Sequence, residues 1–266
     1  MKKNVNGIIL VLSCYKYKEI RKQFRLKNNK YLNWEVIYVF GDLNLKSDYI
    51  LNDNTLLLKT EDTYLHIIKK LILSLKILKE NFNIKEGILR CGDDLIFNDK
   101  HLLDFLKLQN KEDYMGKNFD KKDILEIKNI YPENQAFMIN YYNRHFEDKN
   151  ELNAILKEDN LNINKLNVIP NISNFVALGH IYYLSNKSID IIIKYFFEIY
   201  NQNVCYFEKN YFPLIHEDVG VGYILFNNNI KLKYYKNMWF NPHYQNFDNY
   251  LSCPKPICVH TNEGNL

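Results

Sequence analysis

Two adjacent carboxylates, Asp93 and Asp94, stand between two apolar runs in residues 88–97 (ILRCGDDLIF). This pattern predicts a buried strand that ends in acids. An unpaired carboxylate removed from water costs several kcal/mol or shifts its pKa until it is neutral, so such a strand end favours a bound cation. Oxygen ligands suit Mg²⁺ or Mn²⁺, which usually also hold the phosphates of a substrate. A nucleotide-phosphate site is the first hypothesis, and a solvated turn is its alternative.

A second group of acids, Glu217 and Asp218, lies in residues 216–222 (HEDVGVG). Acids favour the start of a helix, because Asp is a good N-cap and a negative charge suits the helix dipole there. A carboxylate held rigidly at a cleft is also suited to act as a general base, which must reach the proton that it removes. The residues alone leave both interpretations open.

Two further segments contain residues that suit a site. Gly179 and His180 interrupt the apolar residues 175–185 (FVALGHIYYLS), and a glycine inside a strand often marks the close approach of a ligand or backbone. An ordinary packed strand is the alternative. His260 lies in a short β-like run, residues 257–261 (ICVHT). If that run folds back over the acids, its imidazole would complete a Mn²⁺ shell better than a Mg²⁺ shell; otherwise His260 is a structural residue.

Charge and cysteine content exclude several classes of protein. The net charge of +4 comes from 35 basic and 31 acidic residues dispersed along the 266-residue chain, whereas a nucleic-acid site needs clustered Lys and Arg. The five cysteines form no CxxC pair, so neither a zinc knuckle nor a disulfide framework is indicated. No stretch approaches the ~20 apolar residues of a membrane helix, and residues 7–12 are shorter than a signal-peptide core. We expect a soluble, cytoplasmic protein whose oligomeric state the sequence does not define.

The elements that must position these residues alternate between strands and helices. Strands are predicted at residues 7–13, 34–40, 56–58, 86–91 and 230–234, and helices at residues 15–27, 60–82, 100–108, 188–200 and 217–226. Residues 113–166 are polar and poorly periodic and receive no assignment. The β-α-β-α-β order predicts an α/β fold with a doubly wound, mostly parallel central sheet flanked by helices. Ligands of such sheets bind at the carboxyl ends of the strands, where Ser13, Gly41 and Asp93 would lie.

Six segments, in order and at compatible spacing, form a recognisable series. They are residues 20–25 (IRKQFR), 36–42 (VIYVFGD), 61–70 (EDTYLHIIKK), 90–97 (RCGDDLIF), 178–185 (LGHIYYLS) and 217–222 (EDVGVG). The series resembles the β-1,3-glycosyltransferases of the galactosyltransferase and Fringe kind, glycosyltransferase family 31. The last four segments are similar to that family's D-x-Y-x-N-L-T-x-K, K-x-D-D-D-x-F, S-G-G-G-Y-x-x-S and E-D-V-x-x-G motifs. The chain departs from these motifs at Gly92, which replaces an Asp, and at His180 and Ile181, which replace glycines.

The resemblance implies a single GT-A-type domain over residues 1–266. Its nucleotide-binding half would span about residues 1–110 and its acceptor half about residues 111–266, with a smaller mixed sheet near the acceptor side. The implied activity is inverting transfer of a sugar (Gal, GlcNAc or Glc) from a UDP-sugar to a hydroxyl of a glycan or glycoconjugate. The implied cofactor is Mn²⁺ or Mg²⁺.

The resemblance also implies roles for individual residues. Asp94 would hold the metal, and Asp93 would assist or contact the donor ribose. His260 lies outside the resemblance, which covers about residues 7–226, and would join Asp94 as a second ligand under the condition given above. Asp218 would be the catalytic base. Ser13, Arg21 and Asp62 are further candidates for the nucleotide pocket, and Glu217 and His66 could orient groups around the site. Lys70 matches a family position without a role that the sequence supports.

Two other functions are compatible with the sequence. A metal-dependent nucleotidyltransferase would also need acids at a strand end, but such enzymes commonly have a glycine-rich phosphate loop, and residues 13–18 contain no glycine. A catalytically inactive carbohydrate-binding relative would explain the missing Asp and the missing glycines. The presence of both Asp94 and Asp218 favours the active transferase.

Overall fold

The computed structural model describes residues 2–17, 26, 31–63, 66–118, 175–199, 217–240 and 255–260. The strands of these residues are β1 (Lys3–Leu12), β2 (Trp34–Gly41), β3 (Tyr49–Asn52), β4 (Thr55–Leu58), β5 (Phe82–Gly92), β6 (Leu95–Phe97), β7 (Tyr114–Gly116), β8 (Ile181–Ser185), β9 (Lys233–Tyr234), β10 (Trp239–Phe240) and β11 (Cys258–His260). The α-helices are α1 (Ile67–Asn81), α2 (Asp99–Leu106), α3 (Asn186–Ile199) and α4 (Glu217–Asn227). A 3-10 turn, Tyr15–Tyr17, follows β1.

The main sheet is mixed, and its strand order is β3-β4-β2-β1-β5-β8-β7-β9. The four strands from β4 to β5 pair in parallel, as the sequence predicts. These strands are apolar along most of their length because both faces of the sheet are covered. The register places Leu12, the last residue of β1, opposite Gly92, the last residue of β5. The carboxyl ends of the two central strands therefore meet at one edge.

Parallel pairing does not continue across the whole sheet, although β7 and β9 at one edge also pair in parallel. Both β3 and β8 run antiparallel to their neighbours. The direction of β3 follows from its connection to β4, because a hairpin loop as short as Asp53-Asn54 can join only antiparallel strands. Asp53 has a positive φ of 41° in this loop. The sequence pattern predicts β4 but not β3, whose residues alternate between half-buried and exposed.

The helices differ from their predicted bounds mainly at their ends. The helix predicted at residues 60–82 spans Ile67–Asn81, because Phe82 is extended and begins β5. The helix predicted at residues 217–226 spans Glu217–Asn227. The helix predicted at residues 15–27 contains the 3-10 turn, and most of its remaining residues lie outside the described ranges. None of the described helices is long and apolar enough to cross a bilayer.

Apolar clusters cover both faces of the main sheet. One cluster packs α1, α3 and α4 against the sheet through residues such as Leu71, Ile189 and Val221. The other packs α2 and the second sheet against the opposite face through Phe105 and Trp239. This three-layer arrangement is that of an α/β protein. The predicted class is therefore confirmed, with a mixed sheet in place of the mostly parallel one.

A smaller sheet of three strands, ordered β10-β11-β6, lies beyond the end of β5. It is mixed, because β11 pairs in parallel with β10 and antiparallel with β6. Asp93 and Asp94 form the turn between β5 and β6. The register places His260 opposite Leu95, the residue that follows these acids.

Candidate active site

The turn after β5 is tied to the end of β1. Ser13 follows β1 directly, is only 7% exposed, and donates a 2.5 Å hydrogen bond from its hydroxyl to Oδ2 of Asp93. The two predicted nucleotide-site residues are thus in direct contact. Parallel pairing of β1 with β5 brings them together, since both follow strands that end at the same edge.

Asp94 lies against His260, which is 166 positions later in the chain. Nε2 of the imidazole is 3.1 Å from Oδ2 of the carboxylate, and the imidazole and carboxylate side chains are 13% and 26% exposed, respectively. The pairing of β11 with β6 creates this contact. The run that contains His260 therefore folds back over the acids, which is the condition that the sequence analysis gives for a metal-binding role of this residue.

Gly92 provides the space that the Asp94 side chain occupies. A Cβ atom at Gly92 would lie 2.6 Å from Oδ1 of Asp94, which is closer than real Cβ contacts allow. The Gly92 amide also donates to the carbonyl of His180 at 2.9 Å. The carboxylate of Asp94 thus occupies the space beside residue 92, where the K-x-D-D-D-x-F motif has a further Asp.

Asp62 holds together the loops that follow β1 and β2. Its carboxylate accepts hydrogen bonds from the amide of Tyr15 (2.8 Å) and the amide of Gly41 (2.9 Å). It also forms a 2.7 Å ion pair with Nζ of Lys70. Lys70, in turn, donates to the carbonyl of Ser13 at 2.6 Å. Lys70 therefore links Ser13 to Asp62; Arg21, the other residue predicted for this pocket, lies outside the described residues.

Asp218 is the second residue of α4, and its half-buried carboxylate accepts two backbone hydrogen bonds. Oδ1 accepts from the amide of Val219 at 2.8 Å, and Oδ2 accepts from the amide of Gly179 at 3.0 Å. The side chain lies at the positive end of the helix dipole, in the first turn of α4. These contacts fix the orientation of a carboxylate that remains partly exposed.

Glu217, the neighbouring acid, is enclosed and committed to other protein groups. It is 6% exposed, pairs with Nη2 of Arg90 at 2.8 Å, and accepts a hydrogen bond from the hydroxyl of Tyr182. Burial raises the pKa of Glu217 to about 7, although the guanidinium of Arg90 opposes the rise; the charge on Asp218 adds to it. Of the two adjacent acids, the accessible Asp218 has the better geometry for a general base.

Gly179 and His180 connect the two groups of acids. The amide of Gly179 binds Asp218, while the carbonyl of His180 binds the turn before Asp94. The His180 ring packs on His260 with centroids 4.2 Å apart and on Trp239 at 4.5 Å. Burial, together with the nearby His260, lowers the pKa of His180 to about 3 and keeps the ring neutral. The two residues immediately before β8 thus contact both parts of the site.

The donor set at Asp94 fits a cation that is held mainly by a substrate. The 3.1 Å between Nε2 of His260 and Oδ2 of Asp94 is an ordinary hydrogen-bond distance, and it is also close to the roughly 3 Å between adjacent ligands at about 2.0–2.1 Å in octahedral geometry. Within the described ranges, no cluster of three or more His, Cys, Asp or Glu residues is arranged to hold a metal. Two protein ligands leave the remaining positions for phosphate oxygens and water, as is usual for Mg²⁺.

Sequence reasoning missed the partners of two buried charges, Arg90 and Lys70. A signal was available for Arg90, because a charged residue inside an apolar strand must find a partner. That partner, Glu217, was expected only to orient groups around the site. The predicted site residues that the structure describes form three contact groups. Ser13 contacts Asp93 directly and is linked to Asp62 through Lys70. Asp94 contacts His260, and Asp218 is held by the amides of Gly179 and Val219.

No family model matches this chain, and no curated protein is significantly similar to it.

Proposed function

We propose that this protein is a metal-dependent inverting glycosyltransferase. It would move a hexose (Gal, GlcNAc or Glc) from a UDP-sugar to a hydroxyl of a glycan or glycoconjugate. The observation that carries the proposal is the contact between Asp94 and His260 at the carboxyl end of β5. Asp218 supports it, because Gly179 and His180 connect this second carboxylate to the same edge.

Asp94 and His260 would hold Mn²⁺ or Mg²⁺, and Ser13, Asp93 and Asp62 would surround the nucleotide. The ion, when bound, neutralises the charge that develops on the departing diphosphate. Ser13 follows β1, and Asp93 and Asp94 follow β5, which agrees with the usual ligand position in an open α/β sheet. The presence of a small mixed sheet, which carries His260, supports the proposal, because the GT-A resemblance implies a second mixed sheet.

Asp218 would act as the general base of a single displacement. The acceptor oxygen forms a bond to the anomeric carbon while its proton passes to the carboxylate of Asp218. The bond from that carbon to the diphosphate oxygen breaks on the opposite face, and the nucleotide leaves with the electron pair. The sugar configuration is therefore inverted, and one carboxylate suffices because the leaving group needs no acid.

Thermal unfolding with UDP, with and without Mn²⁺, tests the metal site. UDP plus Mn²⁺ should raise the melting temperature of the wild type, and removal of the metal should abolish the shift. Asp94→Asn should lose the shift. Asp104→Asn, which changes an exposed carboxylate on α2, is the matched control and should retain it. Equal protection of both variants would exclude Asp94 as a ligand.

Turnover of a panel of UDP-sugars tests the base. Asp218→Asn should keep the protection by UDP plus Mn²⁺ but lose transfer or donor hydrolysis by about 10²–10⁴-fold, the usual contribution of a general base. Full activity of this variant would refute the assignment. Release of pyrophosphate from a nucleoside triphosphate would instead indicate a nucleotidyltransferase. Glycan binding without any turnover would indicate an inactive relative.

A further inference from the structure

We propose that Arg90 is a positioning residue that sets the location of the Asp218 carboxylate. The inference rests on the proposed function, in which Asp218 takes the proton from the acceptor. A residue at the centre of the main sheet would thus determine the position of the catalytic base.

Arg90 lies on β5 with a side chain that is 5% exposed. Its guanidinium uses two nitrogens for two different elements. Nη2 pairs with Oε2 of Glu217 at 2.8 Å, and Nη1 donates to the carbonyl of Gly179. The ring of Tyr182, the residue opposite Arg90 in the register of β5 and β8, lies 5.4 Å from Cζ. The hydroxyl of Tyr182 completes the group by donating to Glu217.

Both partners of Arg90 are connected directly to Asp218. Glu217 precedes it at the start of α4, so the ion pair fixes where the helix begins. Gly179 donates its amide to Oδ2 of Asp218 while its carbonyl is held by Arg90. One side chain, that of Arg90, therefore fixes both the Gly179 segment and the start of α4, the two elements that hold Asp218. A planar guanidinium can reach two acceptors in this way, whereas the ammonium of a lysine is a compact point charge.

A double variant separates the proposed positioning role of Arg90 from the contribution of its ion pair to stability. A buried ion pair can often be replaced by neutral groups of similar size with little loss of stability, whereas removal of one partner leaves a buried charge. The double variant Arg90→Met/Glu217→Gln removes both charges and is expected to fold. Its Gly179 carbonyl has no donor from residue 90, and this change is the one that the proposal concerns.

The chain offers a matched control on the same strand. Glu86, also on β5, pairs with Lys111 at 2.7 Å, and the Lys111 side chain is 4% exposed. The other hydrogen bonds of Lys111 go to the carbonyls of Leu106 and Leu108, at the end of α2. Lys111→Met/Glu86→Gln therefore removes an ion pair with a similarly buried cation whose hydrogen bonds, among the described residues, do not involve Asp218 or Gly179.

Steady-state turnover of a UDP-sugar and hydrogen exchange test the proposal together. Arg90→Met/Glu217→Gln should lower kcat about 100-fold, the effect of a misplacement of roughly 1 Å. Its KM for the donor and its affinity for UDP plus Mn²⁺ should stay within about twofold, since a misplaced base alters the reacting geometry and leaves the ground-state contacts of the donor in place. Amide exchange at Gly179 should become faster. Arg90→Lys should recover part of kcat, and the control pair should keep the wild-type kcat and Gly179 exchange.

A folded double variant with wild-type kcat would overturn the proposal, as would unchanged exchange at Gly179. Equal loss of kcat in the control pair would reduce the effect to general destabilisation and would also overturn it. If the wild type turns over no UDP-sugar, the proposed function fails. In that case, the exchange rate at Gly179 still decides whether Arg90 anchors this segment.

Discussion

Two neighbouring lysines on α1, Lys69 and Lys70, give a test of how burial controls the strength of an ion pair. Lys70 is 2% exposed and contacts Asp62 and the Ser13 carbonyl. Lys69 pairs with Glu61 at 2.8 Å, but the two side chains are 25% and 32% exposed. We predict that Lys70→Met destabilises the protein strongly and Lys69→Met much less.

The expected magnitudes follow from these environments. Removing one partner of a buried ion pair costs about 3–5 kcal/mol. The lower end applies to Lys70→Met, because Asp62 is 18% exposed and keeps its hydrogen bonds from the amides of Tyr15 and Gly41. We therefore expect a loss of about 3 kcal/mol for Lys70→Met. An exposed pair contributes about 0–1 kcal/mol, and the upper end applies to the half-buried Lys69–Glu61 pair, so we expect a loss of about 1 kcal/mol for Lys69→Met.

Urea denaturation followed by circular dichroism measures both losses as free energies of unfolding. Met and Lys have similar helix propensities, so the comparison separates ion pairing from helix formation. Losses that are equal within about 0.5 kcal/mol would refute the reasoning, since additivity errors are of that size. UDP protection should also be weaker in Lys70→Met than in Lys69→Met, because only Lys70 holds the Ser13 carbonyl in place.

Two further predictions concern Glu217 and Gly92. The pKa of Glu217 is raised from 4.5 to about 7 by burial, so the native state keeps a proton that the unfolded chain releases. This stabilisation of the native state is complete below pH 4.5 and is lost as the pH rises to about 7. In urea titrations at several pH values, Glu217→Gln should therefore show a smaller decline of the free energy of unfolding over this range. A decline as steep as that of the wild type would contradict the prediction. Gly92→Ala would place Cβ 2.6 Å from Oδ1 of Asp94 and displace this carboxylate. Calorimetry in the presence of UDP should then show Mn²⁺ affinity at least about tenfold weaker, a change of about 1.4 kcal/mol, and wild-type affinity would contradict the assignment of Asp94.

Local signals in the sequence predict the elements that carry the site. The helical spacing of apolar residues predicts α1, and the apolar run before Asp93 predicts β5. The acids at residues 217 and 218 predict the start of α4 correctly, because they stabilise the helix dipole within the first turn. Each of these features depends on neighbours within one or two turns of chain.

Features that depend on distant partners are less accessible to sequence reasoning. The contact between Asp94 and His260 requires β6 and β11 to pair, and each of these strands has only three residues. Such short strands carry no periodic pattern, so the sequence states only a condition for this contact. The roles of Arg90 and Lys70 depend on acceptors from separate segments, and backbone carbonyls such as those of Gly179 and Ser13 leave no mark in a sequence.

The late position of β11 has a consequence for the order of events during synthesis. His260 is added 166 residues after Asp94. At about 5–20 residues per second, this interval lasts roughly 10–30 s. The strands β1, β2 and β5, with Ser13 and Asp93, can pair during that time, while Asp94 still lacks its imidazole neighbour. Under the proposed function, a nascent chain cannot consume nucleotide sugar before β11 has docked, however completely its first half has folded.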